Sequence, residues 1–185
     1  MFGIFILFTL IVNAQNIQNI CQNKQIHTLG FDDVTIYPDS YIALPRPYLN
    51  FVFKRVNTVS VGYSDDNVAV ANLTAAPAAY QNAENSPPNV ILTTGESFSL
   101  KKVDNSIFNI VKLYITSIYI NNMGILIKCY KNGVYFSNVT LNIQTTYPTE
   151  INLNWKNIDE VIIGCSNPEY ATCAHATHDD ITVCY

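Results

Sequence analysis

Apolar residues recur at every second position in short runs along this chain, the pattern typical of β-strands with one buried face. The clearest run, 124–130, places three apolar side chains on one face: Ile125, Ile127 and Cys129. Lys131-Asn132-Gly133 follows, and then a second β-rich run from Val134 to Ile143. An Asn-Gly pair between two such runs is a strong hairpin signal, because both central residues of a type I′ turn need positive φ. The pattern predicts a β-hairpin over residues 124–143.

The same alternation predicts further strands, whereas helical periodicity is absent throughout. The predicted strands are Val34–Tyr37, Leu49–Val56, Val59–Tyr63, Asn67–Ala71, Ser97–Val103, Ile107–Tyr119, Glu150–Trp155, Glu160–Cys165 and Asp180–Cys184. About ten short strands broken by turn clusters indicate an all-β antiparallel sandwich or barrel. The longest predicted loop is Ala75–Asn89, and long loops at the end of a sandwich often carry binding residues.

The chain begins with an apolar run, Met1–Val12, followed by Asn13 and Ala14. About 11 apolar residues are too few for a transmembrane helix, which needs about 20. Small residues at positions 12 and 14 suit signal-peptide cleavage after Ala14. We therefore predict a signal peptide (1–14), an N-terminal lead (15–28) and a single sandwich domain (29–185) in a secreted, extracellular protein. An uncleaved anchor or a buried strand is the alternative for the first segment.

Composition narrows the class of protein. Hydrophobic residues make up 49% and charged residues 13% of the 185, which excludes intrinsic disorder. The 10 Lys and Arg against 14 Asp and Glu give a formal charge of −4, and no basic run is present. A nucleic-acid partner is therefore not expected.

Several motifs follow one another in the order seen in a known family. They are Leu29–Val34 (LGFDDV), Pro38 with Tyr41, Asn67–Ala69, Gly133 after Tyr130, Asn154-Trp155 with Ile158–Val161, and His175–Val183 (HATHDDITV). The chain thereby resembles a family of small secreted jelly-roll domains common in fungal and other microbial secretomes. The resemblance implies an antiparallel jelly-roll β-sandwich, similar in shape to galactose-binding domains and carbohydrate-binding modules. It implies no ligand, since the family has no assigned biochemical activity.

The chain departs from the family pattern at two places. The family's Gly-Gly-Leu-x-Trp segment is replaced by Ile42–Pro45, and Thr177 and His178 stand where the family has apolar residues.

Paired carboxylates at both ends of the domain suggest a structural calcium ion. A jelly roll brings its first and last strands side by side, and Ca²⁺ prefers hard oxygen ligands. The candidates are Asp32, Asp33, Asp179 and Asp180, of which Asp33 and Asp179 align best with the family's acidic positions. The alternative is that all four are solvated strand-end carboxylates. A zinc site at His175 and His178 is not expected, because residues three apart on a strand face opposite ways.

The five cysteines and two sequons complete the candidate modifications. Adjacent termini predict a Cys21–Cys184 disulfide, and Cys165–Cys173 would close the loop before the last strand. Cys129 is left as a buried thiol; other pairings or an intermolecular bridge are the alternative. The sequons place candidate N-glycans on Asn72 and Asn138.

No nucleophile elbow, His-led triad, paired glutamates or phosphate loop is present in the sequence. We therefore expect a non-enzymatic domain that binds glycan or another extracellular ligand through aromatic side chains. The candidates are Tyr41, Tyr48, Tyr63, Tyr80 and Trp155. The alternatives are a structural or adhesive surface protein and a secreted effector that binds a host protein. A hydrolase would require two carboxylates about 5–10 Å apart in a cleft.

Overall fold

The computed structural model describes residues 17–38, 40–56, 68–73, 86, 88–93, 97–166 and 175–185. Within these ranges the chain forms one helical turn, 17–20, and twelve strands. The strands are β1 (Ile26–Leu29), β2 (Ser40–Ala43), β3 (Phe51–Val56), β4 (Ala69–Asn72), β5 (Asn89–Thr93), β6 (Ser97–Lys102), β7 (Phe108–Ser117), β8 (Met123–Lys131), β9 (Val134–Ile143), β10 (Thr149–Ile158), β11 (Glu160–Cys165) and β12 (Ala176–Cys184).

The strands form two sheets that pack face to face. Sheet A has seven strands in the order β10-β7-β12-β5-β4-β2, with β1 also paired to β12. Sheet B has five strands in the order β3-β6-β11-β8-β9. Every pairing is antiparallel. The predicted all-β antiparallel jelly-roll sandwich is confirmed.

The core between the sheets is built from the inward residue of each alternating pair. Its largest side chains are five fully buried phenylalanines: Phe31, Phe51, Phe53, Phe98 and Phe108. Phe51 meets Phe108 edge-on at 5.2 Å, and Phe31 meets Phe53 edge-on at 5.7 Å. Edge-to-face pairs of this kind contribute about 0.5–1.5 kcal/mol each beyond the area they bury.

The hairpin predicted from Asn132-Gly133 is confirmed. β8 and β9 pair from Met123↔Ile143 to Lys131↔Val134, and both turn residues have positive φ, at 53° and 71°. The inward residues of β8 are the three that the alternation predicted, and all are buried: Ile125, Ile127 and Cys129. The thiol of Cys129 is free, and burial raises its pKa to about 11.

Other strand predictions differ from the structure near the N-terminus. The predicted strand Val34–Tyr37 is wrong, because the chain turns there: Phe31 has a φ of 64°, and Val34 N–H donates to the Phe31 carbonyl at 3.0 Å. Strands β2 and β5 were not predicted, and β1 takes in 26–28 from the predicted lead. The predicted strand Val59–Tyr63 lies outside the described residues.

The two ends of the described chain are joined twice. β1 pairs with β12 from Ile26↔Cys184 to Leu29↔Ile181, so the first and last strands lie side by side. The structure contains the predicted Cys21–Cys184 disulfide, with the two cysteines 163 positions apart. Cys165 is also disulfide-bonded, but its predicted partner Cys173 lies outside the described residues.

Removing the terminal disulfide should destabilise the fold. The double change Cys21→Ala, Cys184→Ala frees the unfolded chain from a 163-residue loop constraint. We expect the free energy of unfolding to fall by about 2–5 kcal/mol. Urea unfolding of both proteins under non-reducing conditions measures this, and equal midpoints would contradict it.

His178 lies on β12 of sheet A and is 1% exposed. Its Nε2 lies 3.1 Å from Thr93 Oγ1, whose hydroxyl proton is donated to the Ala176 carbonyl, so Nε2 must carry the ring proton. The ring packs edge-on against Phe98 at 4.8 Å, and Nδ1 is buried without a hydrogen-bond partner among the described residues. Burial lowers the pKa of His178 to about 3, so the ring is neutral in the folded protein.

This buried imidazole should make stability depend on pH. The unfolded state takes up a proton below pH 6.5, whereas the folded state does not until about pH 3, so stability is lost as the pH falls below 6.5. The loss is about 1.4 kcal/mol per pH unit, or about 2 kcal/mol at pH 5. We expect the variant His178→Leu to lack this part of the pH dependence. Urea unfolding of both proteins at pH 7.5 and 5.0 measures the difference, which parallel pH dependences would disprove.

Candidate functional site

The outer face of sheet B carries a continuous set of polar and aromatic side chains. On β8 the residues that alternate with the buried Ile125, Ile127 and Cys129 point away from the core. Lys128 and Tyr130 therefore lie on this outer face. Residues that lie opposite each other in a sheet share a face. The cross-strand partners of Lys128 and Tyr130 on the neighbouring strands therefore also face outward.

One row of side chains crosses all five strands of sheet B. Tyr135 pairs with Tyr130, Tyr130 with Glu160, and Lys101 with Val52. A salt bridge of 3.2 Å between Lys101 Nζ and Glu160 Oε2 joins the two halves of the row. We call these residues the outer row: Val52, Lys101, Glu160, Tyr130 and Tyr135. At the usual strand spacing the row is about 19 Å long.

One end of the outer row lies in a groove of about 510 Å³. This volume is within the range of small-molecule sites. Three valines and seven polar or charged residues line the groove: Val52, Lys54, Arg55, Val56, Ser99, Lys101, Lys102, Val103, Asn105 and Glu160. Charged side chains of both signs therefore meet in it.

The other end of the outer row is aromatic. The rings of Tyr130 and Tyr135 lie 6.2 Å apart and nearly perpendicular, at 78°. Tyr135 is 53% exposed and lies between two exposed apolar residues, Val134 and Phe136. The Lys131 ammonium lies 5.7 Å from the centre of the Phe136 ring. This end presents open ring surface on which an apolar or sugar face can lie.

A second polar cluster lies at sheet A, where β1 ends beside β12. Ser86 contacts both carboxylates of β12: its N–H donates to Asp179 Oδ2 at 2.8 Å, and its hydroxyl lies 3.0 Å from Asp180 Oδ1. Asp32 joins the cluster through the Asn89 N–H, which donates to Asp32 Oδ1 at 3.1 Å. Three carboxylates therefore converge on one serine.

The electrostatics of this cluster show mutual repulsion. Burial raises the pKa of Asp32, and the negative charge of Asp180 raises it further, against the lowering effect of the Asn89 hydrogen bond. Asp33 instead accepts a 2.6 Å hydrogen bond from the Tyr48 hydroxyl. Within the described ranges, no group of three or more His, Cys, Asp or Glu side chains has an arrangement that could hold a metal ion.

The structure brings few of the predicted ligand-binding aromatics to a surface. Tyr48 is 6% exposed in the core, because its hydroxyl is tied to Asp33 and its ring stacks on Phe31, so its predicted ligand role is wrong. Trp155 is half-buried against the core. Tyr41 is 60% exposed on β2 of sheet A. Tyr63 and Tyr80 lie outside the described residues.

The two sequon asparagines differ in exposure. Asn72 is buried, and its amide donates to the Ile36 carbonyl at 3.4 Å, which leaves no open side chain for a glycan. Asn138 is exposed on β9, opposite Lys128.

A hydrolase would require two carboxylates about 5–10 Å apart in a cleft, and the structure meets only part of this requirement. Glu150 and Asp179 flank Tyr114 on neighbouring strands of sheet A, so their backbones lie about 10 Å apart. Both carboxylates are engaged, however: Glu150 accepts hydrogen bonds from Lys112 and Tyr114, and Asp179 is 1% exposed against Ser86. Neither lines the groove described above.

Sequence reasoning missed the outer row, although one signal could have found part of it. Once Cys129 is assigned to the core, its neighbour Tyr130 must face outward, and the hairpin turn then places Tyr135 opposite it. Lys101 and Glu160 belong to the outer row because β6 and β11 are neighbours in sheet B. Alternation along the chain does not predict this strand order.

No family model matches the chain, and no curated protein matches it in sequence. Solved structures do match. A Stig cyclase from Fischerella sp. TAU superimposes with a TM-score of 0.55 at 10% identity, over 86% of this chain and 98% of the cyclase. Another cyclase structure from that organism gives 0.54 at 8% identity, over 86% and 97%. A family 29 carbohydrate-binding module from Piromyces equi gives 0.45 at 13% identity, over 87% and 90%. The two cyclase matches show a shared fold.

Proposed function

We propose that this chain is a secreted, non-enzymatic glycan-binding domain that holds its ligand along the outer row of sheet B. The observation that carries the proposal is the register that aligns an aromatic pair, a salt bridge and a groove in one line.

The chemistry of the outer row suits a sugar chain. The CH faces of a sugar ring pack on flat aromatic rings, and a Tyr hydroxyl adds a hydrogen bond. Glu160 can accept hydrogen bonds from sugar hydroxyls, and the Lys101 ammonium can donate to them. The salt bridge between Glu160 and Lys101 fixes these two groups before a ligand arrives, which lowers the entropy lost on binding.

The positive charge on the outer face of sheet B favours acidic glycans. The outer face of sheet B carries three lysines, Lys54, Lys101 and Lys128, against one carboxylate, Glu160, among its described residues. Carboxylate or sulfate groups on a sugar chain would pair with the lysines of this face. A glycan array with both acidic and neutral oligosaccharides is therefore the appropriate first screen.

Removing the two tyrosine rings at the aromatic end of the outer row should weaken glycan binding. We expect Tyr130→Ala with Tyr135→Ala to lose at least about tenfold in affinity for an array-positive oligosaccharide, since each buried aromatic contact is worth about 1 kcal/mol or more. The matched control is Tyr41→Ala, an equally exposed tyrosine on β2 of the other sheet. Calorimetric titration measures all three proteins. Undiminished binding by the double variant would remove the outer row from the proposal, and no signal on any sugar would refute glycan binding itself.

We propose further that the Asp32, Asp179 and Asp180 cluster holds a structural Ca²⁺. Hard carboxylate oxygens are the preferred ligands of Ca²⁺. Burial, and to a lesser extent the negative charge of Asp180, raise the pKa of Asp32; a bound cation would offset both effects, so ion binding would favour the folded state. Of the four aspartates considered in the sequence analysis, Asp33 is left out of this proposal, because its carboxylate accepts the hydrogen bond from the Tyr48 hydroxyl.

Calcium should raise the melting temperature if the cluster binds it. At a hundredfold excess of Ca²⁺ over Kd the gain is about 2.7 kcal/mol, which for a domain of this size corresponds to about 5–10 °C. The double change Asp32→Asn, Asp180→Asn should abolish the shift, and Asn tolerates the positive φ of 44° at position 180. Asp33→Asn serves as the control that keeps it. Identical melting temperatures in EDTA and in millimolar Ca²⁺ would exclude the ion.

A further inference from the structure

The sequon at Asn138 lies on the same face as the proposed glycan-binding site. Asn138 is directly opposite Lys128, and Lys128 alternates with the buried Ile127 and Cys129. Asn138 therefore points outward from sheet B, next to the outer row. Its side chain is exposed, as N-glycosylation requires.

The distance between Asn138 and the outer row is short. Lys128 and Tyr130 are two residues apart on β8, so the row that contains Asn138 lies about 7 Å from the aromatic end of the outer row. Directly opposite side chains have Cβ atoms about 5 Å apart. A sugar attached to the Asn138 amide thus starts about two residue spacings along the strands from Tyr130 and Tyr135.

We propose that an N-linked glycan on Asn138 covers the outer row and competes with free glycans for it. The inference rests on the function proposed above and on glycosylation of Asn138 in a secreted chain. A covalently attached ligand on a short flexible link has an effective concentration on the order of millimolar. If the attached glycan itself binds the outer row with a Kd near 0.1 mM, the affinity of the row for a free oligosaccharide falls about tenfold.

The chain offers a matched pair of variants that change the sequon without changing Asn138. Thr140 is exposed on β9, opposite Leu126. Thr140→Ala removes the sequon, whereas Thr140→Ser keeps it. Asn142→Gln, on the same strand and face but outside any sequon, controls for a change of amide side chain near the site.

The experiment compares wild type, Thr140→Ala, Thr140→Ser and Asn142→Gln from a glycosylating eukaryotic host on an array of acidic and neutral oligosaccharides. Mass spectrometry reports the occupancy of Asn138. We expect Thr140→Ala to bind its best array ligand about tenfold more tightly than the other three proteins. Enzymatic removal of the N-glycan should bring wild type to the same affinity.

Two outcomes separate the two proposals. Equal affinities for all four proteins with Asn138 occupied, or a wild type with no glycan on Asn138, would overturn the covering role and leave glycan binding intact. Absence of binding by every protein, including Thr140→Ala, would overturn the glycan-binding function itself.

Discussion

The architecture of sheet A depends on how β12 divides its hydrogen bonds among three neighbours. One edge of β12 pairs with β7, while the other edge pairs first with β5 and then with β1. The change of partner coincides with a register shift after Asp179 and a positive φ at Asp180. The chain after β1 and the chain before β5 meet at this point, which brings Asp32 and Ser86 to the carboxylates of β12. The acidic cluster is thus a product of the strand exchange.

Sheet B differs from sheet A in how it uses its two faces. Sheet A holds both ends of the described chain, the terminal disulfide and satellite apolar clusters on its outer side. Sheet B uses its inner face for the core and leaves its outer face to polar and aromatic residues. Substitutions on that outer face therefore remove few core contacts. A sandwich of this design can change the residues of that outer face without losing its fold.

Alternation along the chain was enough to predict the strands of the central and C-terminal parts. The hairpin of β8 and β9 and the strand β11 begin and end close to the predicted residues, because their alternation is regular and, in the hairpin, the turn uses Asn132 and Gly133. Strands β2 and β5 are short and lie among Pro, Asn and Ala residues, so their pairing partners decide their conformation.

The candidate sites were harder to predict, because they depend on contacts between distant residues. Adjacent aspartates such as Asp32 and Asp33 look equivalent in the sequence. In the structure the turn at Phe31 directs one toward Asn89 and the other toward Tyr48. The resemblance to a jelly-roll family correctly placed the first and last strands together, which is why the terminal disulfide could be predicted.

The burial of Cys129 has a consequence for how the disulfides form. A thiol attacks a disulfide only as the thiolate, and a pKa of about 11 leaves almost none of it at neutral pH. Cys129 also belongs to a hairpin whose contacts are local in sequence, and local contacts form early in folding. Once that hairpin packs on the core, the odd cysteine is withdrawn from exchange. Cys21 and Cys184, which must meet across 163 positions, then pair without competition from Cys129.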